Sequence, residues 1–314
     1  MNLPGRPDDA WASLRYGRLL PRAAASRRAG KAYAGAISLR ELAADPGRRR
    51  VACERIGRWC GVGPTVALRI FADALFSEAR EEAESAWFMG DPRRREAAFA
   101  GAEPAAPVAP GSIVATLHLG SPVLGFVHLS RDLGLVGRAI GRELDDSNPM
   151  PASKRAWGIR KVAWVRETTG EPFLGTDARA LLAAREELGR GRSVYAAIDV
   201  PGDVVARSRV VELCDERVLL SGGLLTVARL ARAPLQLVVT RLEGESYRLD
   251  AFEPIEPGPE DAVARALGRQ ASALLRRHPG DWWLWPYVVP APPGRQPGHG
   301  ATPCMVARRG VAVA

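Results

Sequence analysis

The chain is 314 residues long, 46% hydrophobic and 25% charged, which is ordinary globular composition and enough length for a large core in one or two domains. Its formal net charge is +9, and nearly all of the positive charge is arginine, since Lys31, Lys154 and Lys161 are the only lysines. Such a surface could bind nucleic acid, anionic lipid headgroups or an acidic carrier protein. A GC-rich coding sequence gives the same bias, and no nucleic-acid motif is present, so the sequence argues against a nucleic-acid partner.

The cysteines and histidines are not spaced as metal ligands, and no Cys-x-x-Cys pair occurs. We therefore expect no metal, no disulfide framework and no bound cofactor. The N-terminus lacks the pattern of a signal peptide, and no run of about 18 apolar residues could span a bilayer. These features predict a soluble or peripheral protein in a reducing, cytoplasmic compartment. A peripheral position on the cytoplasmic face of the inner membrane remains open.

Residues 1–110 are predicted to form an N-terminal helical region that packs on the core. The segment 11–20 is interpreted as a short amphipathic helix on the surface, with a membrane contact as the alternative. Residues 37–89 carry apolar side chains at helical spacing. The Pro/Ala-rich stretch 103–110 is interpreted as a linker into a main domain, 111–290, and the Pro/Gly-rich tail, 291–314, is predicted to be disordered.

Strands and helices alternate through the main domain. This order predicts an α/β fold with a mostly parallel central sheet flanked by helices. The predicted strands are Ile113–Leu117, Leu135–Ile140, Lys161–Val165, Ser193–Ile198, Val210–Leu213, Leu235–Leu242 and Tyr247–Ile255. The predicted helices are Pro122–Leu135, Ser153–Ile159, a helix capped by Thr176 that runs through Leu188, Leu224–Arg232 and Pro259–Arg277.

His118 follows the first of these strands, at a predicted corner between the strand and a helix. Gly120 allows a tight turn, Ser121 can cap the helix, and Pro122 suits its first position. A histidine beside the free N–H groups of a helix N-terminus is well placed to act as a base on an oxyanion-forming substrate. The alternative is a histidine that merely ends a strand.

Asp199 ends another apolar strand that should also be central. Ligand sites in open α/β sheets collect at the carboxyl ends of the strands, so His118 and Asp199 are expected at the same edge. A carboxylate there could hold the imidazole in one tautomer and stabilise the imidazolium. The alternative is a turn-forming aspartate before residues 200–203.

Five short motifs within residues 35–290 occur together in the order and spacing of one enzyme family. They are His118-Leu-Gly120 after a strand, Leu144-Asp-Asp-Ser-Asn148-Pro149 in a loop, Arg160 before a further strand, Leu188-Gly-Arg-Gly-Arg-Ser-Val194 leading to Asp199, and His278-Pro-Gly-Asp-Trp-Trp-Leu-Trp285. With these motifs the chain resembles the lipid A late acyltransferases (the LpxL/LpxM, or HtrB-like, family) and their wider lysophospholipid acyltransferase superfamily. The resemblance implies that the predicted α/β fold is of the glycerolipid-acyltransferase-like kind.

Two features depart from that family. Its members usually carry an acidic residue five positions after the histidine, where this chain has Val123. The pair His128 and Asp132, four residues apart, is interpreted as a surface or packing pair rather than a substitute. Many members also begin with a membrane-spanning helix, which is not readable here. Both departures indicate a divergent branch, with a different acceptor, a soluble or peripheral habit, or lost activity.

The resemblance implies acyl transfer from acyl-ACP or acyl-CoA to a hydroxyl or amine, on a lipid or a secondary-pathway product. His118 would be the general base, and Asp199 is the first candidate for the missing acid, ahead of Glu143, Asp145 and Asp146. The candidate substrate-binding residues are Gly120, Ser121, Asn148, Arg160 and Arg166. The N–H groups near Ser121 would stabilise the oxyanion, and the two arginines would hold a phosphate or phosphopantetheine arm.

Two other functions stay open at this point. Val123 in place of the usual acid favours a non-catalytic relative that binds acyl chains or acyl carrier protein. A basic nucleic-acid-binding protein has only the net charge in its favour. The arginine surface fits an acidic carrier protein equally well, so the charge does not separate these alternatives.

Overall fold

The computed structural model describes residues 10–104, 106–141, 144, 150–200 and 208–292. Its N-terminal part is helical. The helices are α1 (Ala10–Leu14), α2 (Leu20–Ala23), α3 (Arg27–Ala44), α4 (Pro46–Cys60), α5 (Pro64–Met89) and α6 (Pro92–Ala98), with one π-helical turn, Arg15–Leu19, between α1 and α2. Ser26 and Asp45 cap α3 and α4 by accepting backbone N–H groups. Prolines occupy the first position of α4, α5 and α6, where their missing N–H costs nothing.

Among the described helices, none is by itself long and apolar enough to cross a bilayer. The bent pair formed by α4 and α5, at 111°, meets that criterion by length and composition when the two helices are taken together.

The rest of the described chain alternates strands and helices. The strands are β1 (Ile113–Thr116), β2 (Gly137–Ala139), β3 (Ser193–Ala197), β4 (Ser208–Leu213), β5 (Glu216–Ser221), β6 (Leu235–Glu243), β7 (Ser246–Ala251) and β8 (Val289–Pro290). The helices are α7 (Pro122–Arg131), α8 (Ala152–Thr169), α9 (Ala178–Gly189), α10 (Gly223–Ala231) and α11 (Glu260–Arg277).

The central sheet has the order β2-β3-β1-β6-β7. Its first four strands are parallel, and β7 is an antiparallel edge strand paired with β6. Strand β1 lies in the middle and all four of its residues are buried, as expected when helices cover both faces of a parallel sheet. The predicted α/β fold with a mostly parallel sheet and an N-terminal helical segment is therefore confirmed.

Two apolar clusters cover the two faces of this sheet. The larger cluster joins residues of α4, α5, α9, α10 and α11 to one face, with Ile113, Leu117 and Leu237 among its fully buried members. The smaller one joins α7 and the end of α8 to the other face through Val114 and Val238. Helices α4 and α5 thus contribute directly to the core on which the site stands.

A second, antiparallel sheet was not predicted. Strands β4, β5 and β8 form it in the order β4-β5-β8, so the predicted strand at 210–213 does not extend the central sheet. The hairpin between β4 and β5 turns through Cys214 and Asp215, which both have positive φ. The turn was missed because neither residue is glycine, the usual occupant of such a position.

Two further assignments were wrong in detail. Lys161–Val165, predicted as a strand, is the second half of α8, in which Trp157 and Val165 are buried at helical spacing, and Gly170 ends the helix at φ 75°. Asp177, rather than Thr176, caps α9, because its carboxylate accepts the N–H of Ala180 at 2.9 Å. The predicted disordered tail lies outside the described residues from 293 onward.

Candidate active site

The register of the central sheet brings His118 and Asp199 together. Thr116 of β1 pairs with Ala197 of β3, and these are the last residues of the two parallel strands. His118 and Asp199 each follow two residues later, so they stand opposite one another at the carboxyl edge of the sheet. Sequence reasoning placed both residues at this edge, and the structure joins them.

Asp199 accepts three hydrogen bonds. Its Oδ1 lies 2.8 Å from Nδ1 of His118, and its Oδ2 accepts the backbone N–H of His118 at 2.7 Å. The indole N–H of Trp282 donates to the same Oδ2 at 2.8 Å. The Asp199 side chain is 0% exposed, and these charge-assisted donors replace the water that a buried carboxylate loses.

The carboxylate also determines the state of the imidazole. Because Asp199 can only accept, Nδ1 of His118 carries the proton, and in the neutral ring Nε2 keeps the lone pair. No described residue forms a hydrogen bond with Nε2, and the side chain of His118 is 14% exposed. Among the described residues, Nε2 of this partly exposed side chain is therefore left without a hydrogen-bond partner and can act as a base.

The electrostatic environment favours the protonated imidazole. Burial alone lowers the pKa of His118, but the charge and the hydrogen bond of Asp199 outweigh burial, so the pKa is raised above its ordinary value. Glu78 and Glu81 of α5 add to the same effect. Glu81 is itself paired with Lys161 of α8, whose Nζ lies 2.6 Å from Oε2.

Gly120 forms the predicted tight turn after His118. Its φ is +66°, and a Cβ at this position would lie 2.3 Å from the carbonyl oxygen of Thr240, so only glycine fits. Ser121 occupies the N-cap position of α7 as predicted, but its hydroxyl makes no capping hydrogen bond.

Two backbone N–H groups at this corner are already bonded. The N–H of Gly120 donates to Asp281 O at 2.9 Å, and the N–H of Ser121 donates to Thr240 O at 2.8 Å. These bonds fix the corner to β6 and to the C-terminal segment, so these two N–H groups are not available to an oxyanion, and the role predicted for N–H groups near Ser121 stays a prediction.

The predicted arginines lie apart from the histidine. Arg160 is exposed on α8, with its guanidinium 5.9 Å from the ring centre of Trp157, and it lines a groove of about 500 Å³ together with Leu20 and Met89. Arg166 is exposed in the last turn of α8. Neither makes a hydrogen bond with His118 or Asp199 in the described part of the chain. Four further predicted residues, Glu143, Asp145, Asp146 and Asn148, lie outside the described residues.

A cleft of about 470 Å³ opens beside the corner. Gly120 and Ser121 line one side, and Arg80, Glu81 and His278 are among the residues of the other sides. The imidazole of His118 is not part of its wall, so the cleft adjoins the histidine rather than enclosing it. Its lining combines charged side chains with apolar ones such as Ile70 and Phe76.

Two tryptophans of the C-terminal segment also belong to the site. The ring of Trp283 lies 5.9 Å from that of His118, and its buried indole N–H has no acceptor among the described residues. Trp282 holds Asp199 from the opposite side. The family resemblance drew attention to this segment, but it gave neither residue a role.

Within the described residues, no group of three or more histidine, cysteine or acidic side chains is placed to hold a metal ion. No protein-family model matches the chain, and a search of curated proteins found no match either. The fold and the geometry of the site describe an α/β protein with a buried His–Asp pair at the carboxyl edge of its parallel sheet.

Proposed function

We propose that this protein is an acyltransferase that moves an acyl chain from a thioester donor, acyl-ACP or acyl-CoA, to a hydroxyl or amine acceptor. The observation that supports this most strongly is the pair formed by His118 and Asp199, with Nδ1 held by the carboxylate and Nε2 without a partner among the described residues. In this proposal Asp199, from the neighbouring strand, supplies the orienting acid that the resemblance leaves missing at Val123. The pair therefore supports an active enzyme over a non-catalytic relative.

In the proposed reaction, Nε2 of His118 takes the proton of the acceptor O–H or N–H as that atom attacks the thioester carbonyl. A C–O or C–N bond forms, and Asp199 stabilises the imidazolium without accepting its proton. The tetrahedral intermediate then collapses, the C–S bond breaks, and the thiol leaves with the proton held by His118. The histidine ends the cycle neutral, and the reaction consumes no cofactor.

The oxyanion needs donors other than Gly120 and Ser121, whose N–H groups are already bonded. The first turn of α7 follows directly, and helix geometry leaves the N–H groups of Val123 and Leu124 without an acceptor inside the helix. We assign the oxyanion to this turn. The helix dipole acts in the same direction.

The same proposal covers how the acyl donor binds, what the acceptor is and where the protein is located. The apolar groove beside Arg160 would take part of the donor, with the guanidinium at its rim for a phosphate of the phosphopantetheine arm. The arginine-rich surface would receive an acidic acyl carrier protein. The proposed acceptor is a lipid or a hydroxylated or amine product, and the proposed location is cytoplasmic, with peripheral contact at the inner-membrane surface.

The test is thiol release by the purified full-length protein from a panel of acyl-CoA and acyl-ACP donors, with and without lysolipid acceptors. We expect turnover in the parent and a loss of about 10²- to 10⁴-fold in His118→Ala, the usual contribution of general-base assistance. His128→Ala is the matched control, because His128 lies on α7 in a different hydrogen-bonded pair.

Equal turnover by parent and His118→Ala would contradict the proposal. Tight donor binding without release by the parent would instead establish a non-catalytic protein that binds acyl chains or acyl carrier protein.

A further inference from the structure

We propose that Trp282 is a positioning residue, whose indole N–H fixes the Asp199 carboxylate so that it can orient and charge-stabilise His118. This inference rests on the proposed function for its catalytic consequence, but its structural part can be measured without turnover. The active atom is Nε1 of Trp282, which donates to Oδ2 of Asp199 at 2.8 Å.

The hydrogen bond lies in a dry part of the protein. Trp282 is 1% exposed and the Asp199 side chain 0% exposed, so water does not compete for either group. A buried carboxylate is strongly disfavoured unless donors satisfy it. Two of its three donors belong to His118, so Trp282 supplies the only restraint on Asp199, among the described contacts, that is independent of the histidine.

The backbone around Trp282 is joined to the same corner. Leu119 and Trp282 form an antiparallel bridge. On either side of it, the N–H of Trp283 donates to His118 O at 3.0 Å, and the N–H of Gly120 donates to Asp281 O at 2.9 Å. The C-terminal segment therefore fixes the main chain of His118 while its tryptophan fixes the partner carboxylate.

An aromatic cluster holds the indole in place. The ring of Trp282 stacks on that of Trp59 at 5.9 Å and meets that of Trp285 edge-on at 4.8 Å. The buried guanidinium of Arg55 donates to the carbonyl oxygens of Trp285 and Val288. Rigid packing on all sides limits the freedom of Nε1, which is what a positioning group requires.

Trp285 provides a matched control inside the same cluster. It is 0% exposed and also packs on Trp59, but its indole N–H donates to Pro279 O at 2.8 Å instead of a carboxylate. Trp282→Phe and Trp285→Phe therefore remove the same atoms from neighbouring buried positions. They differ in whether Asp199 loses a donor.

The expected effect on His118 has a definite sign. Without the indole donor, the Asp199 carboxylate is no longer held against Nδ1, so its charge acts less effectively on the imidazolium. We therefore expect Trp282→Phe to move the pKa of His118 downward and Trp285→Phe to leave it unchanged. Glu78, Glu81 and its partner Lys161 also act on this region, and neither substitution alters them.

The first experiment is an NMR titration of the histidine side chains in parent, Trp282→Phe and Trp285→Phe, which needs no activity. A downward shift for His118 in Trp282→Phe alone supports the proposal, and an upward shift overturns it. The same titration in both variants as in the parent, or equal shifts in both, overturns it. If Trp282→Phe does not fold, the parent protein provides the test. Its Trp282 indole N–H resonance should shift with the titration of His118, while that of Trp285 should not.

The second experiment measures turnover. We expect Trp282→Phe to lower kcat/KM about ten-fold, the typical weight of one hydrogen bond to a charged group. In an Asp199→Asn background the same substitution should have little further effect, because Trp282 acts through Asp199. An undiminished loss in that background overturns the proposal. A parent without turnover contradicts the proposed function and leaves the titration as the test of Trp282.

Discussion

The described chain contains two His–Asp pairs that look alike in distance and differ in everything around them. His118 Nδ1 lies 2.8 Å from Asp199, and His128 Nδ1 lies 2.7 Å from Asp132. The first pair joins the ends of two neighbouring strands across 81 residues of sequence. The second lies one helical turn apart at the end of α7, as expected of an i, i+4 packing pair.

The surroundings separate a structural pair from one that can react. Asp132 also receives a two-pronged salt bridge from Arg95, and His128 stacks on Phe99 with its Nε2 3.3 Å from Ala102 O. Both imidazole nitrogens of His128 are thus occupied. In the described part of the chain, only Nδ1 of His118 has a hydrogen-bond partner, and the carboxylate of that partner also accepts from Trp282. A short His–Asp distance alone therefore does not distinguish a structural pair from one that can react. The imidazole nitrogen that faces away from the carboxylate must also be available as a base.

Replacing the carboxylate of each pair should give the largest difference between them. Asp199→Asn should lower thiol release by about 10²-fold or more, because the imidazole loses both its fixed tautomer and the charge that stabilises its protonated form. Asp132→Asn should leave turnover close to that of the parent and lower the free energy of unfolding instead. Steady-state kinetics and urea denaturation of both variants measure the two effects.

Crossed results would contradict this division of roles. Turnover lost in Asp132→Asn with a folded protein would place the chemistry at the i, i+4 pair on α7, and turnover retained in Asp199→Asn would show that Asp199 does not support the base.

A smaller effect is expected from Arg95→Ala, which should lower the free energy of unfolding by about 2 kcal/mol and leave turnover intact. The Arg95 side chain is 3% exposed, and its loss leaves a partly buried carboxylate on Asp132 with one partner fewer. Arg93→Ala on the same helix is the control, since that exposed residue should change stability by no more than about 0.5 kcal/mol. Equal effects of the two substitutions would show that the salt bridge contributes nothing.

The His118–Asp199 pair could be predicted from the sequence because the direction and order of the strands determine where the two residues lie. Both residues follow apolar strands, and adjacent parallel strands place their carboxyl ends side by side. The short apolar run at 162–165 was misleading, because α8 buries Trp157 and Val165 at helical spacing and tertiary packing overrides so short a pattern.

The remaining features of the site depend on contacts that no local pattern records. The acceptors for the Gly120 and Ser121 N–H groups come from Asp281 and Thr240, far along the chain. The bond from Trp282 to Asp199 spans 83 residues. Such partners are determined by how whole elements pack, so they become visible only in three dimensions.

A further effect is expected on the pH dependence of turnover. The neutral imidazole is the base, so kcat/KM should fall as the pH is lowered through the pKa of His118, which lies above its ordinary value of 6.5. Asp199→Asn removes the main cause of that increase and should move the acidic limb to lower pH. An acidic limb that Asp199→Asn leaves in place would assign it to a group other than His118.

The same raised pKa makes a prediction about stability that needs no substrate. A histidine whose pKa is higher in the folded state binds its proton more tightly there, so protonation stabilises the fold. This contribution is fully present below the unfolded value of about 6.5 and is lost as the pH rises through the folded pKa. The stability difference between parent and His118→Gln, measured by urea denaturation, should therefore shrink as the pH rises through that window. A difference that stays constant with pH would mean that Asp199 does not raise the pKa of His118.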